Sequence, residues 1–172
     1  MVDPKRRGLL TSISSAIHGT KGEGTFILRP PYNADPTLFQ TICPTCETKA
    51  CVKACEERII LIDEKGAPTL TFKARGCTFC DACATACEAD VLSDTSLQYI
   101  PTEVTIDPLR CVAWHDVVCT SCKDPCLDDA IRFLGLFRPE IDDSRCTGCG
   151  WCAGVCPSDA IQFSAPKNDR KV

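Results

Sequence analysis

An α+β fold of small repeated units, poor in regular secondary structure, is what three features of this 172-residue sequence predict. All sixteen cysteines fall into four sets of four: Cys43, Cys46, Cys51 and Cys55; Cys77, Cys80, Cys83 and Cys87; Cys111, Cys119, Cys122 and Cys126; and Cys146, Cys149, Cys152 and Cys156. The first cysteines stand at 43, 77, 111 and 146, so successive steps are 34, 34 and 35 residues, the mark of one unit used four times. Short β-prone pieces and apolar pairs flank the sets and leave room between them for only one or two helical turns.

The last set reads C-T-G-C-G-W-C-A-G-V-C-P, the C-x2-C-x2-C-x3-C-P spacing of bacterial runs that hold [4Fe-4S] clusters. Set two, C-T-F-C-D-A-C-A-T-A-C, keeps that spacing without the proline. Two residues between cysteines let a tight loop turn its sulfurs inward around a cubane-sized volume, and the fourth follows on a short helix. The fold class is therefore tandem ferredoxin-like modules built around four [4Fe-4S] clusters, with all sixteen cysteines as metal ligands.

Two other cysteine chemistries compete. A disulfide framework belongs to secreted chains, this sequence shows no cleavable signal peptide, and repeated C-x2-C pairs staple distant segments poorly. Structural zinc also uses C-x2-C pairs, but ribbons usually separate the two pairs by some 15–20 residues. In sets one, two and four all four cysteines lie closer together than that.

Composition agrees. Two Trp, two Tyr and seven Phe make a weak side-chain core, and many of the residues behind the 44% apolar fraction are the cysteines themselves. Metal–thiolate bonds then supply much of the folding free energy. A net charge of −4 and a pI near 5.2 give no basic face for nucleic acid. No apolar stretch approaches the roughly 20 residues of a membrane helix. A reducing, cytoplasmic setting is the expectation. No nucleophile elbow, glycine-rich nucleotide loop or carboxylate pair stands out, so substrate chemistry has no evident home and the chain reads as a non-enzyme.

In chain order, residues 1–40 form a cysteine-free region. Arg6 and Arg7 resemble a twin-arginine export signal, but the following Thr11-to-Gly19 stretch is too polar and short for its apolar segment. Leu9, Ile13, Ala16 and Ile17 could instead form one stripe of a short docking helix. Arg29-Pro30-Pro31-Tyr32 reads as extended, since each proline restricts the residue before it. Residues 41–166 form the four-repeat domain, two pseudo-symmetric two-cluster modules, and 167–172 a polar tail.

Within that domain, β-prone Leu70-Thr71-Phe72, Val104-Thr105-Ile106 and Glu140-Ile141-Asp142 precede three sets, and the last two run into I-D-x-x-R-C. Ile59-Ile60, Val91-Leu92, Ala130-Ile131 and Ala160-Ile161 follow each fourth cysteine at the same offset and read as core. In two-cluster proteins of this kind the fourth cysteine of one run ligates the other run's cluster, so Cys55, Cys87, Cys126 and Cys156 are candidates to cross over. Whether set one pairs with set two or, nested, with set four stays open. Set one carries two extra residues between its second and third cysteines, and set three has seven, Val112 to Val118, between its first and second. Loop closure tolerates both, because its entropy grows slowly with length. Trp114 and Trp151 read as shielding for the clusters, and His115 as a bystander to a set that already has four cysteines.

R-R-G-L-L near the start, R-P-P at 29–31 and the four sets, above all C-V-A-W-H-D-V-V-C-T-S-C-K-D-P-C, resemble the NapF family of ferredoxin-type proteins of periplasmic nitrate reductase systems. The wider first set departs from the family's tighter spacing. The resemblance implies a cytoplasmic accessory protein that contacts the molybdenum-containing catalytic subunit of periplasmic nitrate reductase before export and assists its maturation. A ferredoxin-type electron carrier to or from a molybdoenzyme is the alternative, and a structural zinc interaction protein a remote one.

Because metal–thiolate bonds carry so much of the stability, cluster-free protein is expected to be unfolded or molten. Near-UV dichroism and a thermal melt of the apo-protein test this: a native-like aromatic spectrum with a cooperative transition would contradict it.

Overall fold

A computed structural model describes residues 26–166; the Arg6-Arg7 segment with its apolar stripe and the 167–172 tail lie outside the described residues. Among the described residues, regular structure is confined to very short pieces. The helices are α1 (Leu38–Thr41), α2 (Ala50–Ala54), α3 (Ala82–Thr85) and α4 (Trp151–Gly154). The strands are β1 (Ile60–Ile62), β2 (Pro68–Leu70), β3 (Glu103–Ile106), β4 (Ile131–Phe133), β5 (Pro139–Ile141) and β6 (Ile161–Ser164).

The strands make three antiparallel ladders, and their order shows how the repeats pair. β1 follows set one and pairs with β2 before set two, Ile60 opposite Leu70. β4 and β5 repeat that arrangement between sets three and four, Ile131 opposite Ile141. β3, before set three, pairs with β6, after set four, Val104 opposite Phe163. Units one and two therefore form one half, units three and four the other.

The outer ladder is missing from the first half for a chemical reason. The segment that would match β3 contains Pro30 and Pro31, which have no N–H to donate. Irregular bonds replace it: Leu70 N–H donates to Leu28 O at 3.0 Å, and Ser93 and Asp94 N–H donate to Tyr32 O at 2.9 and 3.0 Å. Asn33 Nδ2 reaches Val91 O at 2.6 Å. The prolines and Tyr32 are buried by this packing, and Tyr32 and Phe39 join the core of the first half. Arg29 anchors the segment through Asp63 at 2.9 Å and lies over the Phe39 ring at 5.4 Å.

Seven of the eight apolar-pair residues are buried, Ile161 being half-exposed. Strands start at Ile60, Ile131 and Ile161, but Val91-Leu92 starts none, because Tyr32 and Asn33 take their place beside it. Val104–Ile106 lies within β3, Glu140 and Ile141 within β5, while only Leu70 of its triplet is in a strand. The helical turn expected in each unit is present in sets one, two and four. Set three instead has a 3-10 turn, Val112–His115, inside its long gap. Pro125, just before Cys126, lacks the N–H and disfavours the helical conformation at Asp124, which accounts for the missing α-turn.

A backbone device recurs in all four units. The third residue after each fourth cysteine has positive φ: Arg58 54°, Asp90 54°, Asp129 48° and Asp159 49°. Each donates its N–H back to that cysteine's carbonyl, at 3.1, 3.2, 3.1 and 3.4 Å. This reversal delivers the apolar pair to the core. Asp, tolerant of left-handed backbone, fills the position in three of four cases.

The halves meet through sets two and four. Cys77 N–H donates to Cys149 O at 2.7 Å, Ile100 N–H to Thr147 O at 2.9 Å, and Trp151 Nε1 to Cys77 O at 3.1 Å. Phe72 packs on Phe163, centroids 5.1 Å apart. Gly150 has φ +81° and a Cβ there would lie 2.2 Å from the Phe72 ring, whereas Gly135, at φ +71°, has nothing within 4 Å. Gly150→Ala therefore combines backbone strain with overpacking, roughly 1–3 kcal/mol beyond the strain alone. In guanidinium it is expected to lose visible absorbance about tenfold faster than Gly135→Ala, the rate that overpacking cost implies if it is felt in the native state. Equal rates would show that the Phe72 contact is not needed.

Candidate metal centres

Local geometry aims the sulfurs. Cys51, Cys83 and Cys152 are each the second residue of α2, α3 and α4. Each helix is entered through a left-handed residue, Lys49 (φ 45°), Asp81 (φ 55°) or Gly150 (φ 81°). That reversal turns the third sulfur back toward the loop carrying the first two. Before sets three and four, the I-D-x-x-R-C motif is a side-chain-stabilised turn. Asp107 Oδ1 accepts from Leu109 N–H at 2.9 Å and Asp142 Oδ1 from Ser144 N–H at 3.1 Å, while the aspartate carbonyls accept the N–H of Cys111 and Cys146 at 2.9 and 3.0 Å.

The sixteen cysteines gather into four groups of four, and each takes its fourth member from the paired unit. Cys77, Cys80 and Cys83 share a cavity with Cys55. Cys111, Cys119 and Cys122 share one with Cys156. Cys146, Cys149 and Cys152 share one with Cys126, walled by Val104, Ala130, Ile131, Ile141 and Trp151. Cys51, Cys87 and Cys46 are the thiols whose charge, when ionised, acts on Cys43 and pushes it up, which completes the first group. Every fourth cysteine is thus exchanged within a pair.

These are poor places for free thiolates. Burial, reinforced by neighbouring thiols, pushes Cys83 up to about 12 and Cys152 up as well. Burial likewise takes Cys77 and Cys122 to about 11. A cavity lined by mutually repelling sulfurs and apolar walls suits them only when a cationic centre deprotonates all four, as a bound metal does. Among the described residues, no group of three or more His, Cys, Asp or Glu side chains converges tightly enough for one metal ion. In three of the groups the four cysteines line a shared cavity, and a set of four thiols fits a [4Fe-4S] group.

Hydrogen bonds to sulfur are already in place. Ala130 and Ala160 N–H lie 3.3 Å from Cys126 and Cys156 Sγ. At Cys156 burial acts upward, but N–H donors from Ala160 and Ser158 and the Ser158 hydroxyl outweigh it and hold the thiol below its ordinary value.

The bystanders have other partners. His115 Nε2 lies 3.2 Å from Leu109 O, and Trp114 packs against the buried cluster of Cys111, Ala113 and Ala160 with its Nε1 donating to Pro139 O at 3.3 Å. Two features escaped the motif reading. Tyr32, buried at the edge of the second group with its OH 3.4 Å from Asp81 N, is raised to about 12 mainly by burial. Lys49, within the insertion of set one, donates to the carbonyls of Cys43 and Gly66. A fixed offset of an Asp after three fourth cysteines was visible in the sequence; the Lys49 contacts had no such mark.

Among the described residues, no helix is long and apolar enough to cross a membrane. The family described as 4Fe-4S binding domain matches residues 139–162, which span the fourth cysteine set. Ferredoxin-type protein NapF of Escherichia coli K12 is 35% identical over 164 residues, 93% of this chain and 94% of that protein. Ferredoxin-type protein NapF of Haemophilus influenzae is 29% identical over 173 residues, 96% of each. Ferredoxin-type protein NapG of the same organism is 25% identical over 194 residues, 90% of this chain and 69% of that protein. An iron–sulfur matching segment, little regular secondary structure and near full-length likeness agree: the chain belongs to the NapF family of ferredoxin-type proteins.

Proposed function

We propose that this chain carries four [4Fe-4S] clusters and serves as an accessory protein of periplasmic nitrate reductase, assisting maturation of its molybdenum-containing catalytic subunit in the cytoplasm before export. The observation that carries the cluster reading is the gathering of the cysteines into four groups with exchanged fourth members, three of them lining cavities. On this reading Cys43, Cys46, Cys51 and Cys87 hold one cluster, and Cys77, Cys80, Cys83 and Cys55 the next. Cys111, Cys119, Cys122 and Cys156 hold the third; Cys146, Cys149, Cys152 and Cys126 the fourth. The clusters, when bound, supply one-electron chemistry. The chain's own part is to hold the sulfurs, donate hydrogen bonds to them and keep water away with Val104, Ile131 and Trp151. The partner rests on the likeness to NapF proteins.

One observation favours the alternative, an electron carrier. The loops of sets two and four are joined backbone to backbone at Cys77 and Cys149, so residues that would hold two different clusters are linked by a single hydrogen bond of 2.7 Å. Such contact suits electron exchange between the halves.

Anaerobically purified protein is expected to contain about sixteen iron and sixteen sulfide per chain; stoichiometric zinc would sink the cluster reading. Exchange of fourth ligands predicts that Cys55→Ala with Cys77→Ala costs about four iron, since both act on one cluster, whereas Cys55→Ala with Cys43→Ala costs about eight. The reverse ranking would place each set around its own cluster. For the partner, the catalytic subunit captured from cytoplasm should bring this chain with it. No association, with normal maturation of the enzyme in its absence, would leave the carrier role.

A further inference from the structure

We propose that an apolar cavity beside the Arg29-to-Tyr32 segment holds the basic and apolar leader of the exported catalytic subunit, an inference that rests on the maturation reading above. Positively charged residues followed by an apolar stretch are what direct a protein to export.

The cavity has a volume of about 240 Å³, against about 60 Å³ for the roomiest of the three cavities lined by cysteines, and no cysteine lines it. Its wall is aromatic and proline-rich, with Pro31, Tyr32, Phe39, Leu97, Tyr99 and Pro101 among the lining residues. Pro31 and Tyr32 also line the second cysteine group's cavity, so the two spaces share a wall. Small-molecule sites run to roughly 300–1,000 Å³, and a smaller cavity suits an anchoring side chain of a longer segment.

Two polar features define what fits. Asn33 lines the cavity, and its Nδ2 donates to Val91 O at 2.6 Å, while its Oδ1 is buried and, among the described residues, has no hydrogen-bond partner. Turning the amide over would break the Val91 bond, so the site lacks a donor that an occupant's backbone N–H supplies. The second feature is charge. Arg29, the cation of the lining, is neutralised by Asp63 at 2.9 Å. Asp35 precedes the lining residue Pro36, and Asp94, whose N–H donates to Tyr32 O, lies three residues before Leu97. Both head matching turns: Asp35 Oδ1 accepts from Thr37 N–H at 2.9 Å and Asp94 Oδ1 from Ser96 N–H at 3.2 Å. Residues 26–166 as a whole hold twenty Asp and Glu against twelve Lys and Arg, a net charge of −8. An apolar wall, an unmet acceptor and acidic surroundings call for aliphatic or aromatic side chains, a free backbone N–H and flanking arginine or lysine. A leader segment brings all three.

The test is calorimetric titration of the full chain, purified anaerobically, with a synthetic peptide of the catalytic subunit's own leader at low and at high salt. One peptide is expected to bind per chain, and a peptide with its Arg and Lys replaced by Gln should bind about tenfold more weakly. Tyr99 lines none of the three cysteine cavities, and Tyr99→Ala should weaken binding about tenfold or more. Asp35→Asn with Asp94→Asn keeps the turn acceptors and removes the charges; it should weaken binding about three- to tenfold at low salt and little at high salt. Iron content and visible absorbance of these variants should match the wild type, which separates lost binding from lost folding. A leader peptide that does not bind, or that binds both variants as it binds the wild type, overturns the proposal. Binding gained only with Leu9→Asp and Leu10→Asp would give the cavity to the chain's own first residues, and a sedimenting dimer split by Tyr99→Ala would give it to a second copy; either also overturns it. Full-length catalytic subunit that associates while its leader peptide does not sinks this inference alone. If neither associates, the maturation reading falls with it.

Discussion

Four sulfur atoms must converge on a shared space, and the architecture is organised around meeting that requirement four times. No helix in the described chain exceeds five residues and no strand exceeds four. None of these elements could persist alone, since isolated helices need a dozen or more residues and isolated hairpins are marginal. They are held because their ends are tied to cysteines. The fourth cysteine leaves its own unit for the neighbour's group, so a single unit is incomplete and its partner is needed to complete both groups. The apolar pairs, delivered by the left-handed residue after each fourth cysteine, then seal the groups from water.

The same constraint explains the contact between halves. Glycine is needed where ligand loops press on their neighbours: Gly76 against Trp151, Gly150 against Phe72 and Gly154 against Ala74. A Cβ at any of them would lie within 2.6 Å of its neighbour. The fourth set therefore serves two purposes. Its loop gathers three sulfurs and also forms the surface on which the second set rests.

Much of this was legible from the chain. The 34-residue period and the offset of the apolar pairs carried the repeat, because metal-binding spacing is a local property that sequence displays directly. The pairing of units was not legible, since spacing is the same whichever unit supplies the fourth sulfur; only strand register and the shared cavities distinguish the arrangements. Nor did propensity foresee the lost ladder beside Val91-Leu92. The Arg29-to-Tyr32 segment reads as extended, but Tyr32 turns left-handed at φ 72°, and the segment's consequence for a strand more than 50 residues away is tertiary. The missing helix of set three follows from Pro125, a local cue outweighed by the expectation that all four units match. The stripe at Leu9, Ile13, Ala16 and Ile17 falls outside the described residues.

Where the sets differ is as informative as where they agree. The gap between the first and second cysteines ranges from two to seven residues, and that between second and third from two to four, but the last two cysteines are always separated by three. In three sets a short helix or its immediate end spans that interval, and four residues of helix advance about 6 Å. With fourth members exchanged, the third and fourth cysteines of one set belong to different groups. The invariant interval is therefore a strut that fixes the separation of paired groups, while the variable gaps lie in loops around one group only. Insertions there can place a charge, a hydroxyl or a bulky side chain beside one group without altering its distance from the next. Spacing within a pair and the electrostatic surroundings of each member are thereby under separate control in a single small chain.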